Sequence, residues 1–182
     1  MRILAATCAF AIAGAAVAQP TAIDLGVLTG DTVVTGSLAA GEVNWYTFTI
    51  GTNPYIDITT NDTPFDTELG VYTDIGNLVA SDDDDGFGLN STLSFGTGSG
   101  LLLGDDFNLG GNGIAEGEDG PLGPGTYYLA MGAFNTTFNG TNWDATSTSG
   151  ASGDYIISIY TIPAPGSLAL LGLGGLAIRR RR

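Results

Sequence analysis

Trp45-Tyr46-Thr47-Phe48-Thr49-Ile50 carries the clearest strand signal in the chain. Tyr46, Phe48 and Ile50 alternate with Trp45, Thr47 and Thr49, a period of two that puts one set on a buried face and the other on the opposite face of a strand. Ile56 and Ile58 repeat the pattern around Asp57. Outward from there, Asp31 to Leu38, Glu68 to Thr73, Asn77 to Ala80, Thr92 to Phe95, Thr126 to Ala133 and Asp154 to Thr161 are short runs of the same kind, set apart by Gly, Asn, Asp and Thr. No stretch from 19 to 162 carries the i, i+3, i+4 apolar spacing of a long helix. About eight short strands with turn-rich connections predict an all-β domain, an antiparallel β-sandwich or jelly roll. Two longer connections stand out: the acidic, Gly-rich 96–125, and the Asn-, Thr- and Ser-rich 135–153 around Trp143.

The charge distribution narrows the chemistry. Of 182 residues, 19 are Asp or Glu and 5 are Lys or Arg, and His is absent. The basic residues are Arg2 and Arg179 to Arg182, so nothing cationic lies between Ile3 and Ile178. With no base to meet phosphates, a nucleic-acid surface is excluded. Imidazole bases, lysine Schiff bases and arginine clamps are excluded too. The single Cys8 lies near the N-terminus, which removes disulfides and thiol nucleophiles from the domain. Carboxylate, hydroxyl and amide remain, groups suited to hard cations and to sugars.

Both termini read as addresses. Arg2, an apolar run from Ile3 to Val17 and Ala16-Val17-Ala18 before Gln19-Pro20 form a secretory signal peptide over 1–18. The end is Pro163-Ala164-Pro165-Gly166, an apolar span from Ser167 to Ile178, then four Arg. As a helix that span rises about 18 Å, short of the ~30 Å hydrocarbon layer. The Arg cluster stays cytoplasmic under the positive-inside rule and leaves the domain outside. The tail over 163–182 resembles the PEP-CTERM sorting signal of Gram-negative-type bacteria, with Pro163, Ala164 and Pro165 in the proline motif and Arg179, Arg180, Arg181 and Arg182 closing it. The resemblance implies transient membrane insertion, cleavage near the prolines by an exosortase-type transpeptidase, and an extracellular, surface-located product.

The domain between, 19–162, also carries a resemblance. Gly36 to Phe48, Phe65-Asp66-Thr67-Glu68-Leu69-Gly70-Val71-Tyr72, Gly76 to Asp84, Ser91 to Phe95, Gly125 to Ala130 and Gly153 to Ile157 follow one another in an order similar to the bacterial pre-peptidase C-terminal-like β-sandwich. The resemblance implies a non-catalytic accessory module that attaches to surfaces or polysaccharide.

Ser81-Asp82-Asp83-Asp84-Asp85-Gly86 is the sharpest local feature, since four adjacent carboxylates repel unless solvated or bridged by a cation. It is no EF-hand: with Gly86 in the sixth position, Ser81 holds the first and Thr92 stands where Glu is needed. The turn Asp74-Ile75-Gly76-Asn77 is expected to fold the Asp run back beside Asp66. Asp66, Asp82 and Asp84 are therefore the leading calcium ligands, with Asp83, Asp85 and Asn90 behind them; a solvated acidic loop is the alternative. Trp143 is a candidate glycan contact, the alternative being that it caps one end of the sandwich. The expected function is a surface-sorted, calcium-stabilised module that binds or structures the extracellular polysaccharide layer. A glycoside hydrolase using a carboxylate pair and a ligand-free structural protein remain as alternatives.

Overall fold

The computed structural model describes residues 18–51, 55–96 and 119–162. The expected signal peptide up to Val17, most of the acidic 96–125 connection and the expected sorting tail from Pro163 lie outside the described residues. All eight strand runs read from the sequence are strands, and three more join them. In chain order the strands are β1 (Ile23–Leu28), β2 (Thr32–Leu38), β3 (Asn44–Ile50), β4 (Tyr55–Thr59), β5 (Thr67–Thr73), β6 (Leu78–Asp82), β7 (Thr92–Phe95), β8 (Gly125–Ala133), β9 (Thr136–Phe138), β10 (Ala145–Ser147) and β11 (Gly153–Ile162).

Two sheets face each other, one ordered β1-β3-β8-β5-β6 and the other β2-β11-β4-β7, while β9 and β10 pair as a separate hairpin. Every pairing is antiparallel except one: β1 runs parallel to β3, so the first sheet is mixed. The alternation explains which side chains meet. Tyr46, Phe48, Ile50, Leu69, Val71, Leu129 and Met131 point inward from the first sheet, and Ile56, Ile58, Leu93, Phe95, Tyr155, Ile157 and Ile159 from the second, all essentially buried in one core. At about 1.5–3 kcal/mol for each fully buried large apolar side chain, this layer is the main favourable term in folding.

The hairpin accounts for the opposite face of the first sheet. The 135–153 segment, expected as a loop, folds back over that face and carries β9 and β10. Phe138 sits over Gly70, where a Cβ would come within 2.6 Å of its ring. Tyr72, Tyr128 and Ala130 form a second apolar cluster there with Trp45, Leu78, Phe138 and Trp143 around them. The Tyr72 hydroxyl donates to the Asp144 carbonyl at 2.9 Å and fastens the hairpin down.

The predicted return of the chain after β5 is present. Gly76 has φ +85° in the turn, the left-handed region that favours glycine, and Leu69, Gly70 and Val71 pair with Asp82, Ser81 and Ala80. This hairpin delivers the Asp run to the end of the sheet from which Asp66 enters β5.

Candidate cation site

Two connections meet at that end: 60–66, between β4 and β5, and 83–91, between β6 and β7. They are tied by a buried polar lattice. Thr60 N donates to the Ser91 carbonyl at 3.0 Å, Ser91 N donates to Thr60 Oγ1 at 3.0 Å, and Ser91 Oγ donates to the Asp83 carbonyl at 2.8 Å. Asn90 sits inside it, donating to the Thr63 carbonyl at 3.2 Å and the Asn61 carbonyl at 3.4 Å. Because buried polar groups need such partners, the lattice sets the path of both connections.

Carboxylate oxygens of Asp66, Asp83 and Asp84 converge at this junction, all within 4.8 Å of one another. Calcium binds oxygen at 2.3–2.6 Å, so two ligands on opposite sides of one ion stand about 5 Å apart, and the three oxygens fit around one such ion. Oδ1 of Asp66 and Oδ1 of Asp84 are both shielded from solvent and have no hydrogen-bond partner among the described residues. A buried carboxylate oxygen without a donor is costly, and the chain supplies no Lys, Arg or His between Ile3 and Ile178 to relieve it. The donor set therefore fits a hard divalent cation.

The electrostatics agree. Burial, then the charges of Asp83 and Asp84, push the Asp66 carboxyl up to about 6. Asp83 is raised by burial and by Asp84 and Asp82. These are groups held close together against their repulsion.

The other residues named from the sequence have different duties. Asp82 is not one of the three converging carboxylates: its own carboxylate accepts the Thr92 N–H at 2.7 Å and the Asp85 N–H at 3.2 Å. The reason is strand geometry, since Asp82 still pairs with Leu69 at the end of β6, and the chain leaves the ladder only after it. Asp85 hydrogen-bonds Asp82 through its backbone, and Asn90 braces the loops; neither joins the three converging carboxylates. Trp143 is partly buried over the β5–β6 turn, edge-on to Tyr128 with centroids 5.6 Å apart. A Cβ on Gly76 would stand 2.7 Å from its indole.

Glu68 was not singled out from the sequence, yet it links the site to the hairpin. Its oxygens accept the backbone N–H groups of Asn135 at 2.9 Å and Thr136 at 2.8 Å. Burial, then Asp83, raise its carboxyl to about 7, against the pull of those two hydrogen bonds. Its position on β5, alternating with the core residues Leu69 and Val71 and sharing a face with Gly70 and Tyr72, was the available signal. Glu, Gly and Tyr in a row on one face leave room for something to pack there. Glu68, Asp82 and Asp83 line an open groove of about 330 Å³, while Asp66 borders another of about 400 Å³ with Phe65, Phe87 and Leu89.

Neither a family model nor a curated protein matches the chain. Among solved structures, the pre-peptidase C-terminal domain of a collagenase from Bacillus anthracis is similar, at 19% identity and a TM-score of 0.46, over 78% of this chain and 98% of that one.

Proposed function

We propose that the chain is a secreted, surface-sorted, non-catalytic β-sandwich module that binds or structures the extracellular polysaccharide layer, with calcium holding its acidic end together. The observation that carries the calcium part is the meeting of Asp66, Asp83 and Asp84, of which Asp66 and Asp84 each hold a buried oxygen with no hydrogen-bond partner among the described residues, in a sequence with no cation between Ile3 and Ile178. Polysaccharide is the ligand class that suits a domain offering hydroxyls, amides and aromatic faces but no positive charge. The sorting part follows from Pro163 to Arg182, with an exosortase-type transpeptidase as partner and the outer surface of a Gram-negative-type cell as destination. Mass spectrometry of the native protein is expected to find the chain ending between Pro163 and Gly166. Recovery of most surface-located molecules with Arg182 intact would contradict this.

A carboxylate-pair hydrolase has one observation in its favour: Glu68, raised to about 7, lies beside Asp82 and Asp83 in an open groove. Against it, both Glu68 oxygens are engaged by backbone N–H groups that anchor the hairpin, the duty of a brace rather than of a proton donor to substrate. Incubation with neutral and acidic polysaccharides is expected to release no reducing ends. Release that disappears in a folded Glu68→Gln variant would establish the hydrolase instead.

A further inference from the structure

A cleft of about 410 Å³, lined by none of the three converging carboxylates, opens where β1 and β2, edge strands of the two sheets, come together. Its floor is the hydroxyl pair of Tyr46 and Tyr155, hydrogen-bonded to each other in the buried interior. Gly36 on β2 makes room for this pair, because a Cβ there would overlap the Tyr155 phenol.

A count of protons shows what the floor offers. Asn44 Nδ2 donates to the Ser37 carbonyl and to the Tyr155 hydroxyl, both at 2.9 Å. The Ser37 carbonyl can only accept, which fixes the Asn44 amide with nitrogen toward it and leaves Oδ1 without a donor among the described residues. Of the two phenol protons, one lies between the oxygens. If Tyr46 supplies it, Tyr155 already accepts twice and its own proton must point elsewhere; if Tyr155 supplies it, the Tyr46 proton is the free one. Either way one O–H donor has no acceptor among the described residues. The cleft therefore presents a neutral donor and a neutral acceptor side by side, with the exposed Thr21 and Ile23 at its β1 side.

Its charge decides the class of ligand. Among the described residues Glu42 is the one charged side chain lining the cleft, with its Oε2 accepting the Ala39 N–H at 2.8 Å. An anion would meet a carboxylate and no cation among the described residues, and an ammonium group, which has no acceptor, would leave the free phenol proton unpaired. A sugar hydroxyl both donates and accepts, and the C–H face of a pyranose packs on an aliphatic wall. We infer that this cleft binds a pyranose unit of a neutral polysaccharide, placing a hydroxyl on the Tyr46–Tyr155 pair and Asn44. The inference rests on the polysaccharide-binding reading and assigns it a site separate from the cation cluster.

The test is calorimetric titration of the full chain with cellohexaose, laminarihexaose, mannohexaose and hexagalacturonate, in calcium. Thr21→Trp and Ile23→Trp place a bulky ring at exposed positions that line the cleft, Ile23 in register with the inward-facing Tyr46. The expected result is binding of a neutral hexasaccharide, weakened at least tenfold in both variants while their thermal unfolding stays that of the wild type. Undiminished binding by both folded variants overturns the site and leaves the polysaccharide reading standing. Binding of hexagalacturonate alone overturns the ligand class, and no binding of any oligosaccharide overturns both readings. Should the variants fail to fold, amide shifts of the wild-type chain decide: ligand-induced shifts centred on Asn44, Tyr46 and Tyr155 support the site, and shifts centred elsewhere overturn it.

Discussion

In millimolar calcium the full chain is expected to unfold about 6–10 °C higher than in chelator. An ion present at a hundred times its dissociation constant stabilises the folded form by about 2.7 kcal/mol, and each kcal/mol moves the midpoint of a domain near this size by roughly 2–4 °C. Asp66→Asn separates ligation from mere packing. The amide removes one of the three converging charges, so in chelator the variant should unfold at or above the wild-type temperature, while its response to calcium falls away. Asp82→Ala should behave in the opposite sense. It strips an acceptor from the Thr92 and Asp85 N–H groups and costs about 1–3 kcal/mol with or without calcium. Scanning calorimetry of the three proteins in both conditions checks this. An Asp66→Asn variant that keeps the full calcium shift would remove Asp66 from the site.

The second large effect is on pH dependence. Asp66 rises from 3.8 to about 6 and Glu68 from 4.5 to about 7 on folding, both chiefly through burial, with nearby carboxylates adding to the shift. Between those values the folded chain retains protons that the unfolded chain has released. The sign follows from linkage: stability is greatest below the unfolded values and falls as pH rises through the folded ones, the reverse of an acid group held by a cationic partner. In chelator the melting temperature should therefore decline between about pH 4 and pH 7. Calcium binds the ionised carboxylates, so its stabilising shift should grow over the same interval and flatten the profile. A chelated melting temperature that climbs from pH 4.5 to 7.5 would contradict the shifts.

Period-two alternation made the central strands legible. The residues that spell it, Tyr46, Phe48, Ile50, Ile56 and Ile58, are the ones that fill the space between the sheets. The strands that escaped notice have no such signal. β1 is interrupted at Gly26, where its register against β3 shifts, and it lies at an edge with Ile23 and Val27 exposed. β9 and β10 are three residues each in an Asn- and Thr-rich segment. They exist because Phe138 and Trp143 cover Gly70 and Gly76, a long-range packing event that local propensity does not encode. At the candidate site, the β5–β6 turn was enough to bring Asp66 and the Asp run together. Which Asp would turn inward was not legible, because it depends on where β6 leaves the ladder: Asp82 remains paired, and Asp83 and Asp84, beyond the last pair, swing to Asp66. Glu68 was hidden by its position in a buried strand, its purpose visible only once the hairpin amides of Asn135 and Thr136 are placed over it.

Calorimetric titration of calcium into the chelator-stripped full chain, beside Asp66→Asn and Asp84→Asn, decides whether the three carboxylates hold an ion. The expected result is saturable binding by the wild-type chain that is lost or weakened at least tenfold in both variants. Absence of saturable binding by the wild type, or equal binding by all three proteins, would contradict it.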